Sequence, residues 1–293
     1  MFVTFDEVQR PVWVVTGASS GVGQAIALEA VQSLDAIVFA IGRTEEALKP
    51  AADAGCRAVP LNVAGPAEAV TASLNYVLAS VGKIDVLVNA AGYLLEGAVE
   101  ETSDDEALDV FQTNFFGPLR LIRAVLPHMR RVGRGVIFNI AGADAYEGAP
   151  NAGVYGASKA ALAAVTEALQ RETDPLGVRV CLVQLGHFRT PFLARGHRLR
   201  IAEHIEDYDM VLTPPRRSLN ALNGAQPGDP RKAARVIVDL YAAARDREEG
   251  DDVDNNNNQI PFLLLLGSDA PAAAQTALET RLESARRYEE TDL

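Results

Sequence analysis

Cysteine is scarce. The only two, Cys56 and Cys181, lie far apart in apolar, strand-like stretches, which is the usage of buried free thiols in a reducing compartment and not of a disulfide framework. The four histidines are not spaced with cysteines or carboxylates for a metal site. Cationic charge is also in deficit, with 27 Lys+Arg against 39 Asp+Glu and a net charge of −12. That balance argues against a nucleic-acid or anionic-membrane surface. It also means that an anionic ligand has to be held by local features against an unfavourable overall field. Long apolar runs are missing: the longest, Pro261 to Leu266, is far too short to cross a bilayer. The N-terminus carries neither a basic stretch nor the apolar core of a secretory signal. These absences lead to the expectation of a soluble, cytoplasmic protein.

What is present is an alternation of apolar strands and periodic helices. Val12 to Val15 reads as a strand that runs into Thr16-Gly17-Ala18-Ser19-Ser20-Gly21-Val22-Gly23, and a helix follows to about Leu34. Glycines in such a strand-to-helix turn let the backbone bend tightly and approach a pyrophosphate seated on the helix N-terminus; the alternative is an ordinary tight turn. Ala36 to Ile41 is a second strand, followed by Gly42-Arg43 with no carboxylate between Ala36 and Thr44. An acidic residue there would accept from a ribose 2′-hydroxyl, whereas an arginine pairs with a 2′-phosphate. Arg43 therefore favours NADP(H), against the alternative of a solvent-facing arginine.

Arg57 to Val63 continues as a strand ending near Asn62, then a helix from Pro66 to Val81, then a strand from Ile84 to Val88 running into Asn89-Ala90-Ala91-Gly92. A long helix from about Ser103 to Arg131 carries Asn114 among Phe111, Phe115 and Phe116. A buried asparagine there must find partners. Gly135 to Ile140 and Val178 to Leu185 are further strands, Ile260 to Leu266 a seventh, and Pro271 to Glu290 a closing helix. Between Val178 and Ile260, residues 186–229 lose regular pattern, a length that signals a functional lid or disorder. A lid with one or two short helices over the substrate is expected, with the polar, acidic stretch from Arg247 to Asn258 as a solvated loop. The whole reads as α/β, a Rossmann-like doubly wound, seven-stranded parallel sheet with helices on both faces. No repeat or second block appears, so 1–293 is one domain with the lid at about 186–229.

The chemistry centres on Val154-Tyr155-Gly156-Ala157-Ser158-Lys159. Tyr155 and Lys159 fall four apart at the start of an apolar helix and so share a face. An ammonium beside a phenol stabilises the phenolate and lowers the tyrosine pKa, suiting it to move a proton near neutrality.

Taken together, the turn from Thr16 to Gly23, Asn89-Ala90-Ala91-Gly92, Asn114, Tyr155-x-x-x-Lys159 and Gly186-x-x-x-Thr190 resemble the short-chain dehydrogenase/reductase family in order and spacing, over nearly the whole chain. The stretch Phe188-Arg189-Thr190 is similar to its hydroxysteroid-dehydrogenase-like branch. The resemblance implies that Tyr155 is the proton donor, Lys159 its pKa-lowering partner and a ribose contact, and Asn114 the holder of a proton-relay water. It implies NADP(H) held by Gly17, Ser19, Ser20, Gly21, Val22 and Gly23, by Arg43, Asn62 and Val63, by Asn89, Ala90 and Gly92, and by Tyr155, Lys159, Gly186, Phe188 and Thr190. Substrate contacts are expected from Gly142, Tyr93, Leu94, Leu95, Tyr146, His187, Phe188 and Phe192, and a homodimer or homotetramer through the fourth and fifth helices.

The chain departs from the family where it commonly has a serine, thirteen residues before the tyrosine. That position is Gly142, and no Ser or Thr lies between Phe138 and Tyr155. Losing one such donor costs on the order of 10²–10³ in rate. Four accounts compete: Tyr155 acts alone or with Asp144, Tyr146 or a water; the substrate brings its own hydroxyl or enol; the site has turned to isomerase, lyase or cyclase chemistry; or the glycine is a deliberate replacement. The retained Tyr155, Lys159 and Asn114 favour the first two. The expectation is an NADPH-dependent ketone reductase or alcohol dehydrogenase acting on a bulky apolar or polycyclic substrate. Alternatives are non-redox chemistry and a cofactor-binding protein without turnover.

Overall fold

The apolar runs Val12–Thr16, Ile37–Gly42 and Val86–Asn89 become strands buried on both faces, which is why they are continuous instead of alternating. The computed structural model describes residues 10–142, 148–248 and 260–287. In chain order it gives β1 (Val12–Thr16), α1 (Gly21–Leu34), β2 (Ile37–Gly42), α2 (Glu45–Asp53), β3 (Arg57–Pro60), α3 (Ala67–Val81), β4 (Val86–Asn89) and β5 (Leu94–Glu96). There follow α4 (Asp104–Phe111), a π-helical turn (Gln112–Phe116), α5 (Gly117–Val132), β6 (Gly135–Gly142), α6 (Gly153–Thr173) and β7 (Val178–Leu185). The chain closes with β8 (Arg198–Arg200), α7 (Asp209–Leu222), α8 (Pro230–Glu248), β9 (Leu263–Leu266) and α9 (Ala270–Arg286).

Seven strands form one parallel sheet in the order β3-β2-β1-β4-β6-β7-β9. The order reverses between β1 and β4, and a ligand crevice opens at such a reversal, outside the carboxyl ends of the strands. Alternate residues of each strand serve two separate cores. Trp13, Val15, Val38, Val86 and Phe138 pack with Ile26 of α1 and Ile237 of α8 on one face. Val12, Val14, Phe39, Leu87 and Ile137 pack with Leu74 of α3, Leu121 of α5 and Leu169 of α6 on the other. Trp13 is the pivot of the first core, edge-on to Tyr241 at 5.1 Å and stacked on Phe138 at 6.4 Å. Cys56 and Cys181 are buried free thiols, and burial pushes them up to about 11 and about 12.

Several boundaries differ from the sequence expectation. β3 stops at Pro60, short of Val63, and β4 begins at Val86, after Ile84. The long fourth helix is broken at Asn114 by the π-helical turn. Residues 186–229 are more ordered than their pattern suggests. They contain β8, which pairs in parallel with β5 as a two-stranded ribbon, and the fourteen-residue α7, longer than the short helices expected. Glu96, fully buried at the end of β5, pairs with Arg198 of β8 and with Arg216 of α7 at 2.9 Å. Glu101 and Glu106 accept backbone N–H bonds from Ile205 and Ala202, and the Tyr208 hydroxyl donates to Glu100. Four glutamates thus fasten this segment to the β5–α4 region. No helix among the described residues is long and apolar enough to cross a membrane. The acidic stretch expected as a loop lies outside the described residues over 249–259, as do Asp144 and Tyr146.

Candidate active site

The crevice is built from the ends of β1 and β4. Thr16, the last residue of β1, donates through Oγ1 to Val88 O and accepts from the amides of Ala90 and Ala91 at 3.0 and 3.1 Å. This one hydroxyl ties the glycine-rich turn to Asn89-Ala90-Ala91-Gly92. Gly17 has φ +65° and a Cβ there would lie 2.8 Å from Ala90 O. A Cβ at Gly23 would lie 2.5 Å from Gly17 O, so neither position admits a side chain. Ser20 stands at the N-cap of α1 without a capping side-chain bond, and the first turn has no carboxylate. The orphan amides of that turn are therefore available to an anion. A cradle that a Cβ would fill, over an uncapped helix start, fits a dinucleotide diphosphate. Arg43 is exposed just past β2 and enters no ion pair among the described residues.

Asn62 uses Oδ1 to accept from Ala64 N at 3.1 Å, which leaves its amide nitrogen for an adenine. Three expected contacts turn away from the crevice. The Asn89 side chain is buried and donates to Asn139 Oδ1 at 2.8 Å, in a ladder that continues to Thr166 of α6. Val63 packs into the second core and Phe188 into the first. The sequence reading of Phe188 as a pocket wall is corrected: strand alternation after β7 sends it inward, where it lies against Gly228. For Val63 and Phe188, only backbone atoms remain for a polar contact.

Tyr155 and Lys159 sit on the first turns of α6, both buried, and Lys159 meets Asn114 across a single glycine. A Cβ on Gly92 would fall 3.0 Å from Asn114 Oδ1 and 3.3 Å from Lys159 Nζ. Lys159 Nζ donates to Ile140 O at 3.1 Å. Asn114 is held at both ends of its amide: Oδ1 accepts from Tyr93 N, and Nδ2 donates to Tyr93 O and Ser158 Oγ, each at 3.1 Å. Its side chain braces the site, in a π-helical turn of the kind often found at functional positions. Ser158, one residue before Lys159, closes the brace by donating to Tyr155 O at 2.6 Å. It belonged to the quoted motif, and its spacing of three from Tyr155 was the available signal.

Around Tyr155 the surroundings are apolar. Leu94, Ala152 and Leu193 form a buried cluster with it, Phe192 packs alongside, and the Tyr155 and Phe192 rings lie 6.1 Å apart. Leu95 is buried on the other side of β5, outside this cluster. Tyr93 is half-buried, and burial, reinforced by Asp109 and Glu106, pushes its phenol up to about 12. Gly142 ends β6 opposite Leu185. His187 stands half-exposed at the rim with Nδ1 bonded to Asp269 at 2.7 Å, so it is polar furniture and not an apolar wall. Gly186 makes room for that carboxylate, since a Cβ there would meet Asp269 Oδ1 at 1.9 Å. Thr190 lies against Gly21, its Cβ 3.3 Å from where a glycine Cβ would be. No cluster of metal-ligating side chains occurs among the described residues.

A family description, short chain dehydrogenase, matches residues 11–198. A 3-ketodihydrosphingosine reductase from Bacteroides thetaiotaomicron is 35% identical over 241 residues, 80% of this chain and 84% of that one. A crystal structure of a short-chain dehydrogenase from Streptomyces avermitilis superposes with TM-score 0.83 at 35% identity, covering 96% of this chain and 97% of that one. A metagenomic short-chain oxidoreductase solved in complex with NADP matches with TM-score 0.57 at 33% identity, over 60% of this chain and 82% of that one.

Proposed function

Since the chain belongs to the short-chain dehydrogenase/reductase family of oxidoreductases, we propose that it is an NADPH-dependent ketone reductase or alcohol dehydrogenase for a bulky apolar substrate. The observation that carries the reading is Tyr155, buried beside Leu94, Leu193 and Phe192 and one turn before Lys159 on α6, whose ammonium faces Asn114 across Gly92. Apolar walls around a single phenol suit a ketone whose oxygen meets Tyr155 while its carbon skeleton fills the rest. The similarity to a reductase named for a keto substrate supports the ketone. Arg43, exposed where the adenosine ribose would lie, supports NADP(H) over NAD(H).

Bound NADPH supplies the electron pair and hydrogen that reduce the carbonyl carbon. Tyr155 gives its hydroxyl proton to the carbonyl oxygen, and in the reverse direction takes it back. Lys159 stabilises the phenolate left behind and holds the ribose. Asn114 and Ser158 fix the start of α6, so that the phenol stays where the oxygen arrives. The glycine-rich turn and the first turn of α1 hold the diphosphate, and residues 186–229 close over the substrate as a lid. Association into a homodimer or homotetramer is part of the same proposal.

A second reading follows from Gly142, which offers the carbonyl oxygen no donor: isomerase, lyase or cyclase chemistry with the dinucleotide retained unreacted. The test is a panel of long-chain, aryl and polycyclic ketones with NADPH, read at 340 nm with the alcohol product identified. Alcohol in step with NADPH loss is expected. Product without NADPH loss would favour the second reading, and binding without any product would overturn both.

A further inference from the structure

The segment 186–229 touches the glycine-rich turn in two places. Thr190 abuts Gly21, and the ring of His197 lies with Nε2 3.4 Å from Ser20 Oγ. His197 has no place in the tyrosine chemistry described above. It sits immediately before β8, its carbonyl accepts from Leu94 N at 2.8 Å, and the next residue, Arg198, is locked onto buried Glu96. The imidazole is thus delivered to the turn by a braced ribbon and not by a loose loop. Arg43, at the end of the neighbouring β2, is near enough for its charge to act on the ring. Three donors from three elements converge there: a hydroxyl from the start of α1, a guanidinium from the end of β2, and an imidazole from the segment that covers the site.

We propose that His197 is a cofactor-selectivity residue: with Arg43 and Ser20 it completes a pocket for the adenosine 2′-phosphate of NADP(H). The inference rests on the dinucleotide reading given above and adds to it a contact from the covering segment. A dianion between Arg43 and His197 screens the repulsion between two potential cations and accepts hydrogen bonds from both. NADPH then ties the covering segment to the nucleotide fold, whereas NADH leaves it without that anchor.

A pH dependence follows. In the free protein His197 is held below the usual histidine range, first by burial and then by Arg43, which favours its neutral form. The groups facing it are Ser20 from α1 and Arg43 from β2. In its own loop Arg195 is exposed, and Arg198 is turned onto Glu96 and Asn220. A phosphate dianion reverses the local sign and draws a proton onto the ring, so binding takes up a proton and tightens as pH falls. The useful window lies above the second phosphate pKa of about 6.

The experiment is calorimetric titration of the full chain with NADP⁺ and NAD⁺ from pH 6.5 to 8.5, for the wild type, His197→Ala, His197→Lys and Arg43→Ala. The expected result is an NADP⁺ affinity that rises about tenfold toward the acid end, with proton uptake, while NAD⁺ affinity stays flat. His197→Ala should abolish the slope and weaken NADP⁺ alone; His197→Lys should keep tight NADP⁺ binding with no slope. If His197→Ala retains the slope, or weakens both dinucleotides equally, the proposal is overturned. If Arg43→Ala keeps the wild-type preference between dinucleotides, it is the underlying NADP(H) reading that fails, independently of His197.

Discussion

Asn114 and Gly92 show how little freedom individual residues have at this site. The Asn114 amide bonds to Tyr93 at both ends and to Ser158, and a Cβ on Gly92 would crowd both that amide and Lys159. Sequence made Asn114, Tyr155 and Lys159 visible, because a polar residue in an apolar helix and a spacing of four are local signals. It left Ser158 and His197 unread: the bonds that tie Ser158 to Asn114 and His197 to Ser20 cross between elements. Gly142 is the residue with the largest expected leverage. Restoring a hydroxyl with Gly142→Ser adds a donor for the carbonyl oxygen, and kcat on a simple apolar ketone should rise, by up to on the order of 10². The steady-state rate with NADPH checks it. An unchanged or lower kcat would mean that the substrate itself occupies that space.

At the scale of elements, the seven strands and their flanking helices were legible, since a strand covered on both faces has to be an unbroken apolar run. The β5–β8 ribbon was not. Each of its strands is only three residues long, too short for a period-two signal. Helix α7 was hidden for another reason: Pro214 and Pro215 lie inside it, and each removes a backbone donor, so the stretch reads as irregular. What holds these elements is the buried carboxylate of Glu96 between Arg198 and Arg216. Such a pair is weak evidence of net stability, but removing one partner strands buried charge at a cost of about 3–5 kcal/mol. Glu96→Gln should therefore lower the melting temperature and expose residues 195–222 to limited proteolysis. An unchanged cleavage pattern would show that the segment is held by the Glu101, Glu106 and Glu100 contacts instead.

At the scale of the whole molecule, a chain of net charge −12 is expected to bind a polyanion. The fold resolves this locally: the sheet order reverses between β1 and β4, and the uncapped start of α1, Arg43 and His197 gather at that reversal. Tyr155 enters the same region from α6, on the side where the apolar cluster lies. On the proposed function, the proton transfer rests on the Tyr155 hydroxyl while the diphosphate and adenosine are held elsewhere, so removing that hydroxyl separates rate from binding. The most direct measurement is the rate of NADPH oxidation by Tyr155→Phe against the wild type, with one reducible ketone, alongside the NADPH dissociation constant of each. The account predicts a loss of about 10²–10⁴ in rate with NADPH binding essentially unchanged. A phenylalanine variant that reduces the ketone at the wild-type rate would contradict it.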